Sequence, residues 1–361
     1  MNPTFDLAVI GGGPGGSACA LAAARSGLTV ALFEPQGSPI DKPCGEGCLS
    51  SGVRALEQLG LGAALAGGKI LRNITYSIPG AAPLVIPFPE VGLAIERHRL
   101  ASTLDAALAR ESLILRVPQT ARVERAGREF HVQAGGEDFS ARTLAVADGT
   151  RGRAAGWLRP TRWTDPQRFG LRARCEARSE MDGVLILLGD PNGQIYLTPL
   201  PGRRVNIALL LDRAPTGGGA SAWLEVALAH PRVAEIAGEM VTEPEVRSLA
   251  RRMPASPARA GVFLVGDAAG AVDPVVGCGV SVALATGVAA ARGARRWIDG
   301  ESPRKVEIEY VRAVAHETRA RARLARLLLC LARHPNAARS VAQVLARMPR
   351  VGAAIARVAE G

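Results

Sequence analysis

The chain opens on a continuous apolar run, residues 5–10, that stops at Gly11-Gly12-Gly13-Pro14-Gly15-Gly16. An alanine-rich stretch follows over 17–26, and a second apolar run over 29–33 ends at Glu34. Short apolar runs without polar alternation read as strands covered on both faces, so the pattern predicts a βαβ unit. Over 51–65, Val53, Leu56, Leu59 and Leu61 are spaced for one face of a helix. Residues 74–88 are strand-like and punctuated by proline, 96–110 return to helix, and 113–116, 122–125 and 130–134 read as short strands. A further strand over 144–148 ends at Asp148-Gly149.

From about Trp157 to Met253 the pattern changes. Residues 168–178, 183–189, 195–200 and 205–211 predict strands of one antiparallel sheet. A glycine-rich linker at 216–219 leads to an amphipathic helix over 222–229. Residues 262–265 read as a buried strand, Gly266-Asp267 opens a small-residue helix running to Trp297, and the chain beyond Arg304 is helical and arginine-rich. The expected fold class is α/β with an α+β insertion. A Rossmann-like domain is expected from 1–75, 92–155 and 256–303, an antiparallel-sheet substrate domain from 76–91 and 156–255, and a helical C-terminal region over 304–361.

Composition narrows this picture little. The 361 residues are 48% hydrophobic, enough for a sizeable core. The net charge of +11 invites a nucleic-acid or anionic-membrane reading. Only Lys42, Lys69 and Lys305 are lysines, however, and arginine and alanine are abundant together, which reads as a compositional bias with a solvated arginine surface. No RNA-binding signature or aromatic-interleaved basic stripe appears, so no nucleic-acid partner is expected. Six scattered cysteines without a CxxC pair indicate neither a disulfide scaffold nor a metal site, and a reducing cytoplasm is the expected compartment. The N-terminus runs straight into the first strand, so no signal peptide is expected, and Asp267, Asp273 and Pro274 interrupt the apolar stretch 262–291, so no transmembrane helix is read there.

The glycine pattern carries chemistry. In Gly11-x-Gly13-x-x-Gly16, Gly11 permits a sharp turn, Gly13 lets the backbone approach a pyrophosphate, and Gly16 permits close helix packing. Pro14 and Gly15 complete the turn into a helix whose N-terminal N–H groups and dipole attract phosphate. Glu34 lies 18 residues past Gly16, where a carboxylate accepts ribose hydroxyls. Strand, triplet, helix, strand and acid in that order predict dinucleotide binding.

A second motif, Val262-Phe263-Leu264-Val265-Gly266-Asp267-Ala268-Ala269-Gly270, continues through Asp273-Pro274 to Gly277-Cys278-Gly279. With the N-terminal fingerprint it resembles FAD-dependent oxidoreductases of the para-hydroxybenzoate hydroxylase fold. The resemblance implies that Gly266 and Asp267 bind the ribityl chain. It also implies that Pro274, Gly277, Cys278 and Gly279 pass the isoalloxazine, with backbone N–H groups facing its N1/O2 edge. Arg97, in Ile95-Glu96-Arg97-His98-Arg99-Leu100, matches the family's Arg-x-x-Leu element near the pyrophosphate. Asp148-Gly149 matches its Asp-Gly motif, but the usual serine and final arginine are missing, which leaves Arg151 or Arg153 as substitutes and puts NADPH as electron donor in question.

Pro43-Cys44-Gly45-Glu46-Gly47 resembles the Cys-Gly-Glu-Gly signature of the geranylgeranyl reductase family and related secondary-metabolism flavoproteins, which implies that Cys44 and Gly45 lie near the flavin. The prenyl reductases also carry Tyr-x-Trp-x-Phe-Pro. Here Tyr196-Leu197-Thr198-Pro199-Leu200-Pro201 lacks the tryptophan and phenylalanine, and the halogenase element Trp-x-Trp-x-Ile-Pro is absent as well.

These features favour an FAD-dependent monooxygenase that uses O2 on a lipophilic aromatic or polyketide-like substrate. The alternative is a reductase of C=C bonds in prenyl or unsaturated lipid chains, and a third reading is a non-catalytic flavin-binding or carrier-interacting protein. Cys44, Cys278 and Tyr196 are the catalytic candidates. Tyr196 is a cavity-lining residue or a core tyrosine; the two cysteines form a redox-active pair if they face one cavity, and otherwise are inert thiols. The electron donor is NADPH or another reductant. The arginine-spaced tail is either an amphipathic surface docking on membrane or carrier, making the protein membrane-peripheral, or a helical cap with arginines outward.

Overall fold

The computed structural model describes residues 3–37, 39–150, 162–164, 168–190, 193–212, 219–249 and 251–360. Strand Thr4–Ile10 lies at the centre of an eight-stranded sheet, parallel to Val30–Phe33 on one side and to Glu137–Val146 on the other. Val262–Leu264 extends the parallel run beyond Glu137–Val146, and Ile114–Val117 extends it beyond Val30–Phe33. Leu7, Val9, Val30 and Leu264 are fully buried, because helices Pro14–Arg25 and Gly279–Ile298 pack on the sheet and Phe139 of strand Glu137–Val146 packs on Phe5 and Phe33, which explains strands without polar alternation.

The second sheet has nine strands, in the order Ala237–Met240, Phe169–Ala177, Arg204–Leu211, Gly193–Leu200, Gly183–Asp190, Lys69–Ser77, Leu84–Ala94 and Gly47–Cys48, with Glu245–Ser248 also on Phe169–Ala177. It is mixed rather than wholly antiparallel, since Gly183–Asp190 runs parallel to Lys69–Ser77. It also draws on the chain from Lys69 to Ala94, a wider stretch than 76–91.

Two expected helices begin or end elsewhere. The helix expected over 51–65 ends at Gln58, Gly60 turns the chain with φ +60°, and only a 3-10 turn follows at Ala63–Leu65. The long helix expected from Gly266 starts at Gly279. Gly266, Gly270 and Gly277 have φ of +59°, +123° and +70°, and Pro274 removes a donor, so 266–278 is two short 3-10 turns joined by loop.

Helix Gly279–Ile298 packs on helix Pro14–Arg25 at backbone contact: a Cβ on Gly287 would stand 2.3 Å from the Gly15 carbonyl oxygen. Helix Pro303–Arg333 then joins the layers. Val306, Tyr310 and Val314 enter the core around the parallel sheet, while Leu324, Ala325 and Leu328 enter the one beneath the second sheet. Pro335–Arg347 and Pro349–Glu360 close against strand Leu84–Ala94. The tail thus packs on the body of the molecule as helices.

Gly287→Ala tests the helix crossing. Alanine would gain about 1 kcal/mol in helix propensity. A Cβ at 2.3 Å from a backbone oxygen cannot be accommodated by side-chain movement, and overpacking of this kind costs about 1–3 kcal/mol. A lower thermal midpoint of the FAD-free protein is expected; an unchanged or higher one would contradict the crossing.

Candidate functional site

The fingerprint turn is built as its glycines require. Gly11 has φ +103°, and a Cβ there would lie 2.5 Å from the Ala147 carbonyl oxygen. A Cβ on Gly16 would lie 1.8 Å from the Gly11 oxygen and 3.2 Å from Ala147 Cβ, so the third glycine seats the helix on the turn itself and on the end of the neighbouring strand. Gly13 faces open space, with nothing within 4 Å of its virtual Cβ. The helix starting at Pro14 has neither a side-chain cap nor an acidic residue in its first turn. Its free N–H groups and positive dipole end are therefore available to an anion.

In front of this helix lies a cleft of about 290 Å³ lined by Gly12, Pro14, Ser17, Glu34, Ile40 and Arg97, among others. Glu34 Oε2 accepts from the Gly12 N–H at 2.7 Å and Oε1 from the Gln36 N–H at 2.8 Å, which fixes the carboxylate at the cleft wall. Arg97, at the first turn of helix Arg97–Leu108, is 6% exposed, and its Nη1 has no hydrogen-bond partner among the described residues. Burial pushes its pKa down, while Cys44, Asp41 and Glu46 pull it back up. A buried guanidinium with an idle donor costs free energy unless an anion meets it. A dinucleotide pyrophosphate between Gly13 and Arg97, with its ribose at Glu34, satisfies all three features, so the residues present fit FAD.

Within electrostatic reach of Arg97, Asp267 opens onto solvent but is hemmed in by protein, and that desolvation raises its pKa against the pull of Lys42, Arg247 and Arg97. Half-buried Lys42 is pushed down by burial, with Glu34 and Asp267 among the charges acting on it. Glu34 and Arg97 line the cleft, and Asp267, Lys42 and Arg247 lie near enough to act on them and on one another electrostatically; the sequence reading missed Lys42 and Arg247. Neither lies in a recognisable motif. Gly149 turns the chain with φ +76°, and the Asp148 N–H lies 3.0 Å from a virtual Cβ on Gly11, beside the first turn. Arg151 and Arg153 lie outside the described residues.

The loop before Gly279 is held from the second sheet. Asp273 Oδ1 accepts from the Val275 N–H at 3.0 Å and from Arg168 Nη1 at 2.7 Å, both charges being nearly fully buried. The Tyr196 hydroxyl donates to the Val275 carbonyl at 2.9 Å. Its hydroxyl is thus engaged in positioning the Pro274–Val276 turn, which is the core-tyrosine arrangement. Gly277 and Gly279 present open space on the other side, and helix Gly279–Ile298 starts without a side-chain cap.

Glu46 holds the opposite wall. It has φ +59° and is 2% exposed. Its carboxylate accepts from the Arg97 N–H at 3.0 Å and from Arg174 Nε at 3.1 Å, with Arg172 Nη1 at 3.4 Å. Arg172 also grips Asp41 and Glu245. Arg172 and Arg174 fall at alternate positions along strand Phe169–Ala177, with Arg168 just before it in the same parity, and that spacing of arginines in an apolar run was the available signal for this cluster. Next to Glu46, Cys44 Sγ accepts from the Glu46 N–H at 3.3 Å, and the Cys44 carbonyl accepts from Asn206 Nδ2 at 3.1 Å. Burial raises the Cys44 thiol pKa and pushes that of Cys278 up to about 11. All six cysteines are free, so Cys44 and Cys278 are not a disulfide in this structure.

Residues 6–39 match the family model described as FAD dependent oxidoreductase. The chain is 31% identical over 322 residues to menaquinone reductase of Mycobacterium tuberculosis, covering 81% of this chain and 76% of that protein. The chain belongs to this family of FAD-dependent oxidoreductases. It is also 24% identical to digeranylgeranylglycerophospholipid reductase of Thermoplasma volcanium, over 82% of this chain and 79% of that protein. The fold of the flavoprotein is shared with p-nitrophenol 4-monooxygenase of Pseudomonas putida, with a TM-score of 0.84, 15% identity, and coverage of 100% of this chain and 99% of that one. The α/β flavoprotein architecture and FAD as cofactor follow from these relationships.

Arg97→Met should weaken FAD binding by about 10- to 100-fold, the weight of a charge-assisted phosphate contact. It should also leave the FAD-free protein as stable as before or more so, because the idle buried donor is removed. Isothermal titration and thermal melting check both arms; unchanged FAD affinity would move the pyrophosphate elsewhere. In native protein near pH 8, exposed Cys330 should react fast with a disulfide reagent, and the other thiols slowly, with or without prior reductant. Reductant-dependent release of two thiols would instead establish a redox-active pair.

Proposed function

We propose that this flavoprotein reduces C=C bonds in the polyprenyl or otherwise unsaturated hydrocarbon chain of a lipophilic substrate. The observation that carries this reading is the apolar face that the second sheet turns toward the Pro274–Gly279 segment. Ile186, Leu188, Tyr196, Leu210, Val275 and Val276 are buried together there. The phenols in this cluster, Tyr76 and Tyr196, are driven well above their ordinary pKa by burial, and the carboxylate of Asp273 is engaged by Arg168. Among the described residues of that cluster no histidine or free carboxylate stands ready to deprotonate a phenol, a step that hydroxylation of an aromatic alcohol would require. A hydrocarbon chain needs no such base.

Bound FAD, once reduced, would supply hydride to one alkene carbon. The other carbon takes a proton, and Cys44 and Cys278, both kept protonated at neutral pH by burial, are the donors this chain offers near the cleft. Glu46 and the Arg172–Arg174 pair orient Cys44, and the Asp273 cap with Tyr196 orients the segment carrying Cys278. Menaquinone and the digeranylgeranyl lipid named in the relatives both bear polyprenyl chains, which supports this substrate class. A monooxygenase is the second reading. The missing tryptophan and phenylalanine after Tyr196 favour it, because these belong to the prenyl reductases' substrate motif.

A single-turnover experiment separates the two. FAD-loaded protein reduced with dithionite under anaerobic conditions should convert a quinone-free polyprenyl alcohol to the product with two added hydrogens, read by mass spectrometry. Conversion only in the presence of oxygen, with an oxygen atom in the product, would replace the reductase by the monooxygenase.

A further inference from the structure

Between Glu317 and Glu360 the chain contains nine arginines and no aspartate or glutamate, so this segment carries nine of the chain's net eleven positive charges. Seven of the nine side chains are exposed; Arg321 is buried against Ser51, and Arg339 is half-buried. The outward positions between them include polar His334, Asn336, Ser340 and Gln343, but also large apolar side chains. Leu327, Val344, Met348 and Val351 are exposed to 49%, 54%, 50% and 39%. The inward positions are already used: Ala338, Ala342 and Ala356 pack into the core beneath the second sheet.

The N-terminal half of helix Pro303–Arg333 behaves differently. There Lys305 pairs with Glu301, and Glu309 and Glu301 share Arg296. A cap that served only to face water would be expected to continue that pairing. Beyond Arg321, which pairs with Glu317, the exposed arginines have no carboxylate partner among the described residues and stand beside large exposed apolar side chains. That combination asks for a partner both anionic and apolar. Nucleic acid answers only the charge, and a second copy of this face would meet it with like charge. No helix among the described residues is long and apolar enough to cross a membrane, so the face would lie along a surface.

We propose that helices Pro335–Arg347 and Pro349–Glu360, with the exposed side of Pro303–Arg333 from Arg319 onward, form a docking face for an anionic lipid bilayer. The arginines neutralise lipid phosphates while Leu327, Val344, Met348 and Val351 enter the headgroup boundary. The assignment holds whichever reaction the flavin performs.

Full-length FAD-loaded protein is mixed with vesicles of phosphatidylglycerol and phosphatidylcholine, or of phosphatidylcholine alone, and sedimented at physiological ionic strength. Binding to the anionic vesicles only is expected. The triple variant Arg347→Gln, Arg350→Gln, Arg357→Gln should lose roughly 100-fold in partition coefficient. The charge-matched triple Arg110→Gln, Arg122→Gln, Arg128→Gln, on other exposed surfaces, should stay near the parent. FAD absorbance and thermal midpoint confirm that each variant is folded. No binding to anionic vesicles, or equal losses in the two triples, would overturn the proposal. So would a dimer in light scattering that only the first triple dissolves, which would assign the face to a second copy.

Discussion

Two helices that meet backbone to backbone set the geometry on which everything else depends. With glycine at 15 and 287, Pro14–Arg25 and Gly279–Ile298 approach more closely than any side chain permits. That contact places the uncapped start of the first helix beside the strand ending at Leu264 and the loop that follows it. A pyrophosphate site and a loop built for the other end of the same cofactor thereby become one cleft. Without the close approach, the two motifs would remain separate turns on the C-terminal edge of a parallel sheet.

The second sheet fixes what the crossing leaves loose. Arg168 to Asp273, Tyr196 to the Val275 carbonyl, and Arg172 with Arg174 to Glu46 all cross from that sheet to a wall of the cleft. Buried ion pairs of this kind contribute little net stability, since desolvation offsets most of the attraction. Removing one partner, however, is costly at about 3–5 kcal/mol. They therefore act chiefly as constraints. Arg97 is the exception, because its main chain is tied to Glu46 while its Nη1 has no hydrogen-bond partner among the described residues. An unpaired cation held in place by paired neighbours is a preorganised anion site.

Much of this was legible in the chain. The βαβ unit and Glu34 follow from a local pattern whose chemistry is short-range, while Arg97 and Asp267 came from the resemblance; Glu34 and Arg97 line one cleft. The start of the helix at Gly279 was not legible, because Gly266-Asp267-Ala268-Ala269 has good helical composition and only the backbone reveals positive φ at Gly266, Gly270 and Gly277. The placement of Lys69–Ser77 in the second sheet was hidden too, since its partner Gly183–Asp190 lies more than a hundred residues away and pairs in parallel. Lys42, Arg168 and Arg247 escaped for a related reason: each acts across a tertiary contact, and a lone cation in sequence carries no sign of what it will face. The tail divided in the same way. Its apolar period announced packed helices, whereas the contrast between its ion-paired beginning and acid-free end acquires meaning only with exposure known.

The reaction assignment depends on the cleft being the cofactor site, with the apolar sheet face lying beyond the Pro274–Gly279 segment. A crystal structure of the FAD complex tests that most directly. The pyrophosphate is expected between the Gly13 backbone and Arg97 Nη1, the ribose on Glu34, and the isoalloxazine along Gly277 to Gly279 with the second-sheet face before it. FAD bound with Arg97 Nη1 still idle, or with the isoalloxazine directed away from the second sheet, would contradict the assignment.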